Sequence, residues 1–158
     1  MAKTNESTQF ALPATAKKRK SRKRNLRWES LIGPFEAGDY QVVPLTSTND
    51  LREEGELMNH CVGRRYHRWC HIDAVRVFSI RDLDGRRVAT ASLYFDFDSM
   101  RWRIEQCKGY DNTNVCEVFI ASEGMTARNE LCDIHFLAQY LAALYQRAQE
   151  NQDGRDQF

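Results

Sequence analysis

The sequence predicts an α+β domain: an antiparallel three- to four-stranded meander, helices packed on one face, and a disordered basic N-terminal arm. Three observations predict it. The middle of the chain alternates apolar and polar residues with a period of two, in AVRVFSIRD, RRVATASLYFDF and RWRIEQCKG. Turn-forming runs, Asp82-Leu83-Asp84-Gly85 and residues 96–100, separate these segments closely enough for hairpins. Helical periodicity flanks them on both sides. Helices gathered beside an antiparallel sheet make an α+β architecture.

The arm comes first. Residues 1–27 carry nine Lys or Arg against one Glu, a net +8. The remaining 131 residues carry fourteen Lys or Arg against twenty-one Asp or Glu, a net −7. The formal total of +1 therefore hides a basic arm on an acidic body. The arm has few apolar residues and no period, so it reads as disordered. Lys17, Lys18, Arg19, Lys20, Arg22, Lys23 and Arg24 fill seven of eight positions. Such a run neutralises phosphates and makes DNA or RNA the expected partner, with a steep salt dependence.

The body reads as one domain over residues 28–150, with a frayed tail over 151–158. DYQVVPLTS is a short strand that stops at Pro44. STNDLREEGELMNHCV turns helical, with Ser47 to Asp50 as cap choices and Asp50 with Glu53 as a capping-box-like pair. Gly55 lies on the apolar stripe of Leu51, Met58 and Val62, which points to close approach by another element. Gly63 ends this helix or turns its direction, and RRYHRWCH adds a further helical turn. In RWRIEQCKG, strict alternation puts Trp102, Ile104 and Gln106 on one face and Arg101, Arg103, Glu105 and Cys107 on the other. VCEVFIA reads as a fourth strand. Residues 126–149 form a long helix with the stripe Leu131, Ile134, Ala138, Leu141 and Tyr145.

No run of eighteen apolar residues exists, so no membrane contact is expected. Five cysteines, an odd number, without a secretory type of N-terminal segment, predict reduced thiols and a cytoplasmic setting.

The stretch MNHCVGRRYHRWCH concentrates three of four histidines and two of five cysteines. A thiol reading makes Cys61 a nucleophile at a helix junction, followed closely by Arg64, Arg65 and Arg68. His60, or else His67, would be its base, and the amides of Gln106 and Asn112 would orient substrate or stabilise an oxyanion. A metal reading uses Cys61, His67, Cys70 and His71. Structural zinc favours two- to four-residue gaps between cysteines, and here the separation is nine, so no cofactor is expected, with zinc kept as the minor alternative. The bland reading is a small buried Cys at a helix end.

The motifs LREEGELMNHCVGRRY, FSIR, ATASLYFD and IEQCKGYDN together resemble the PcfJ-like family, over about residues 45–115. The matching positions are Glu54, Gly55, Met58, His60, Cys61, Val62, Gly63, Tyr66, Ser79, Arg81, Thr90, Gln106, Gly109 and Asn112. Asn59 stands where members often carry a second His, and Asp73 near where they often carry Gly. The resemblance implies an accessory protein of a bacterial plasmid or phage, with a polar site set of Glu54, His60, Cys61, Arg81, Gln106 and Asn112. Arg81 would hold an anionic part of a ligand. Two functions follow as expectations. One is a binding module that contacts nucleic acid through its arm and docks a ligand or protein partner. The other is a cysteine-dependent acyl- or phosphoryl-transfer enzyme or hydrolase.

Overall fold

The computed structural model describes residues 24–115 and 125–156. Five strands form one antiparallel sheet in chain order: β1 (Phe35–Ala37), β2 (Tyr40–Leu45), β3 (Val75–Asp82), β4 (Arg87–Asp96) and β5 (Arg101–Lys108). Helices α1 (Thr48–Leu57) and α2 (Val62–His71) lie between β2 and β3, and α3 (Met125–Arg155) comes last. The expected α+β class and antiparallel meander are both present. The extra strand is β1, which folds back on β2 through Gly38 at φ 57°. The fourth strand expected in VCEVFIA lies outside the described residues, apart from Val115. The arm residues Lys17, Lys18, Arg19, Lys20, Arg22 and Lys23 also lie outside them, whereas Arg24 is described and exposed.

The helices, expected on one face, occupy both. Six consecutive residues of β3, Val75 to Ile80, are buried. Successive side chains of a strand point to opposite faces, so both faces of β3 must be covered. Phe78 and Ile80 join Ala89, Ala91, Leu93 and Trp102 beneath Ile134, Leu137, Ala138, Leu141 and Tyr145 of α3. Val75 and Val77 join Leu45 beneath Leu51 of α1 and Val62, Tyr66 and Cys70 of α2. The predicted stripe of the long helix is thus its core face from Ile134 onward, and α3 runs to Arg155, beyond its expected end.

Local chemistry sets the α1–α2 hairpin. Ser47, not Asp50, is the N-cap of α1: its hydroxyl accepts from Asp50 N at 3.1 Å. Asp50 Oδ2 in turn accepts from Thr46 N, one residue before the cap, at 3.0 Å, so a box-like pair spans Ser47 and Asp50 instead of Asp50 and Glu53. The helix stops at Asn59, which adopts φ 51°, a left-handed turn that Asn tolerates better than most residues. Gly63 lies inside α2. A Cβ there would sit 2.8 Å from Arg52 Cα and 2.9 Å from Leu51 O, so the glycine is what lets the two backbones meet. Gly55, expected to permit a close approach, does so: a Cβ there would sit 3.0 Å from both Gly63 N and His60 O.

Candidate functional site

Strand alternation points Thr90 and Ser92 of β4 away from α3, toward α1 and α2. On β5 the register slips between Ser92 and Leu93: Leu93 pairs with Ile104, yet Ser92 pairs with Gln106. This β-bulge inserts one residue and inverts the faces beyond it. Gln106 therefore lies opposite to Trp102 and Ile104, and Cys107 packs with the α3 core. The face assignment expected from strict alternation is corrected at these positions.

The turn between α1 and α2 is tied to the turn after β5. Asn59 Nδ2 donates to Asp111 Oδ1 at 2.9 Å, and Asp111 N donates to Met58 O at 2.9 Å. Asp111 and Asn112 both adopt positive φ, 56° and 58°, to make the bend. The result is one small pocket lined by His60, Cys61, Thr90, Ser92, Gln106, Lys108 and Asn112. Its volume of about 10 Å³ suits roughly one water. An open groove of about 530 Å³ along the helix crossing shares His60 and Cys61 with it. A larger groove, about 1060 Å³, lies between the end of α3 and the β4–β5 turn and contains none of the predicted site residues.

Behind the pocket runs a buried chain of polar groups. Glu54 is fully buried, receives Arg87 Nε at 2.7 Å and accepts the Thr90 hydroxyl at 2.7 Å. His60 Nε2 lies 2.8 Å from Thr90 Oγ1. Counting protons assigns the tautomer. Thr90 has a single hydroxyl proton and spends it on the carboxylate, so Nε2 of His60 must donate. In the neutral imidazole Nδ1 is then a bare acceptor. It is buried and has no hydrogen-bond partner among the described residues. Burial lowers the His60 pKa, although the charge of Glu54 opposes the shift.

A second network flanks the first. Gln106 Nε2 donates to Tyr66 Oη at 2.6 Å, and Ser92 Oγ donates to Glu105 at 3.0 Å. Burial and then the charge of Glu105 push the Tyr66 phenol up to about 12, so it stays neutral. Cys61 is exposed and is the N-cap residue of α2.

Four of the six predicted site residues, His60, Cys61, Gln106 and Asn112, therefore meet in one pocket. Glu54 lies behind it and reaches it through Thr90. Arg81 stands apart, half-buried on β3, with its Nε on Ser79 Oγ at 3.1 Å. Arg87, Ser92 and Lys108 were not expected at the site; the alternation of Ala89, Thr90, Ala91 and Ser92 is the signal that could have found Ser92. The residues weighed for zinc are spread around α2, with Cys70 in the core and Cys61 and His71 exposed. Among the described residues no group of three or more His, Cys, Asp or Glu side chains is placed to hold a metal ion. No described helix is long and apolar enough to cross a membrane.

A family model described as PcfJ-like protein matches residues 4–119. The chain belongs to the PcfJ-like protein family. The whole pocket of this PcfJ-like protein lies inside the matched region, whereas α3 lies beyond it. No curated protein and no solved structure matches the chain.

Proposed function

We propose that this PcfJ-like protein is an accessory protein of a bacterial mobile element that contacts nucleic acid through its basic arm. The charge split carries the reading: +8 over residues 1–27 against −7 over the remainder. The arm has a firm root. Asn25 Oδ1 accepts from Asn49 N at 3.1 Å, and Leu26 exchanges bonds with Thr48 at the start of α1. The last of the seven cations, Arg24, thus adjoins a fixed point of the body, and a run of cations of this composition neutralises a phosphate backbone. The pocket fits a ligand-gripping or fold-fixing role. His60 commits Nε2 to Thr90, so that nitrogen is not poised on Cys61. Deleting residues 1–23 is expected to remove most of the salt-sensitive binding to DNA or RNA. Unchanged affinity and an unchanged salt slope would rule the reading out.

One observation favours a second reading, a cysteine-dependent enzyme. Cys61 is exposed and shares its pocket with Gln106, Lys108 and Asn112. Its sulfur would attack an acyl carbon or phosphorus, expel the leaving group, and later yield the product to water. Iodoacetamide labelling from pH 5 to 9, resolved by peptide, tests this directly. Labelling of Cys61 well below the pH at which a free thiol reacts, together with loss of biological activity in a folded Cys61→Ser protein, would establish it. A Cys61→Ser protein with full activity would exclude it.

A further inference from the structure

We infer that the outer face of α2 is a second contact surface for single-stranded nucleic acid, on the folded body itself. The inference rests on the nucleic-acid reading above and adds a site to it. The sequence of α2, VGRRYHRWCH, contains three arginines and no acid, in a body that is otherwise acidic. Val62, Tyr66 and Cys70 form its buried face. At about 100° per residue, Arg64 and Arg68 then point straight out to solvent. Gly63 marks the flank packed on α1, so Arg65 and Trp69 share the opposite, open flank. Arg64, Arg65 and Arg68 are all exposed and form no ion pair among the described residues.

Trp69 is the decisive residue. Trp28 and Trp102 are 8% and 7% exposed, as core tryptophans are, whereas Trp69 is 45% exposed. Tyr66 meets it edge-on at 5.6 Å and 85°. Tyr94, on the strand face that α2 covers, is also surface-exposed. Free arginines beside a propped, solvent-facing indole provide phosphate contacts and a stacking platform together. A duplex offers phosphates but keeps its base faces stacked internally. A single strand offers both, and that selects it as the occupant.

The experiment titrates the full chain with oligo(dT) and follows tryptophan fluorescence and polarisation at several salt concentrations. With two tryptophans buried, stacking should quench Trp69. Trp69→Leu should remove most of the quench and weaken binding about tenfold. Trp69→Phe should restore most of the affinity. Changing Arg64, Arg65 and Arg68 to Gln should lower the log–log salt slope by about 2, because each single-strand phosphate contact contributes about 0.7. All of these positions are exposed, and circular dichroism checks the fold.

A parallel variant with the seven arm cations changed to Gln separates the two surfaces. If the arm variant loses binding while the α2 variants match the parent in slope and quench, this inference falls and the arm reading stands. If the α2 variants lose binding and the arm variant does not, the reverse holds. An unmodified chain that binds no oligo(dT) overturns both. Equal quenching by a duplex of the same length overturns the choice of a single strand.

Discussion

Glu54 is fully buried, so its charge depends on Arg87 and on the Thr90 hydroxyl. Removing one member of a buried ion pair strands the other, at about 3–5 kcal/mol. Arg87 keeps some solvent access and a longer contact to Glu53 at 3.3 Å, which places the cost at the low end. Glu54→Ala is therefore expected to lower stability by about 3 kcal/mol in urea unfolding, and Glu54→Gln by less, because its amide oxygen still accepts from Thr90. His60 gives a pH prediction. Its pKa is lowered in the folded protein from the ordinary 6.5, so the unfolded chain binds the proton more readily. The stability this provides is complete above pH 6.5 and is lost as the pH falls toward the folded value. The urea midpoint should therefore drop between pH 7 and 5, and His60→Gln should drop less over that range. Nitrogen chemical shifts of the imidazole should show the Nε2–H tautomer at neutral pH; an Nδ1–H tautomer would break the Glu54–Thr90–His60 chain.

Two glycines decide how α1 and α2 cross, and they do so unequally. At Gly63 an added methyl meets only backbone, at 2.8 and 2.9 Å, so the helices must separate. Gly63→Ala is expected to cost about 1–3 kcal/mol, the usual range for overpacking. At Gly55 the contacts are 3.0 Å, and alanine returns up to about 1 kcal/mol of helix propensity. Gly55→Ala should therefore be the milder change; the reverse order in thermal or urea unfolding would contradict this account of the crossing. The same pair shows what sequence can carry. Gly55 on an apolar stripe was readable as a close approach, and the alternative, a helix that ends and restarts there, is excluded by α1 running unbroken from Thr48 to Leu57. The strands of the meander were readable from period two, and the long helix from its stripe. The face of Gln106 was not, because a bulge leaves no mark in RWRIEQCK and inverts every assignment after it. The two-sided burial of β3 was legible in principle: the period of two breaks at the adjacent Val77 and Phe78, which puts Val75 and Val77 on one face and Phe78 and Ile80 on the other, a pattern suited to a strand covered twice.

At the scale of the molecule, the last element closes the first. Tyr145 on α3 is fully buried, and its hydroxyl accepts from Leu31 N and from Arg76 Nε, both at 3.1 Å. Three distant parts of the chain, the strand-leading N-terminal segment, β3 and α3, thus share one oxygen. Arg76 spends its other donors on the carbonyls of Cys70 and Val75 and on Asp73, and its guanidinium lies 5.9 Å from the Trp102 ring. Tyr145→Phe keeps the ring contacts with Phe78 and Trp102 but takes the acceptor from the buried Arg76 Nε and the half-buried Leu31 N. A loss of about 1–3 kcal/mol is expected, as for other unsatisfied buried groups. A larger consequence follows from the position of α3 outside the segment that carries the family match. The pocket residues lie on the opposite face of the sheet, yet β4 and β5 carry Ala89, Ala91, Leu93, Trp102 and Ile104 on the α3 side. Without α3 that face would be bare, and a bare apolar sheet face of this kind drives association. A chain ending at residue 119 should therefore aggregate or unfold and lose the pocket with it, although every pocket residue is present. Size-exclusion chromatography and circular dichroism of that fragment test the point. A monomeric fragment with native sheet content would show that the pocket-bearing layer is stable by itself and that α3 serves some other purpose.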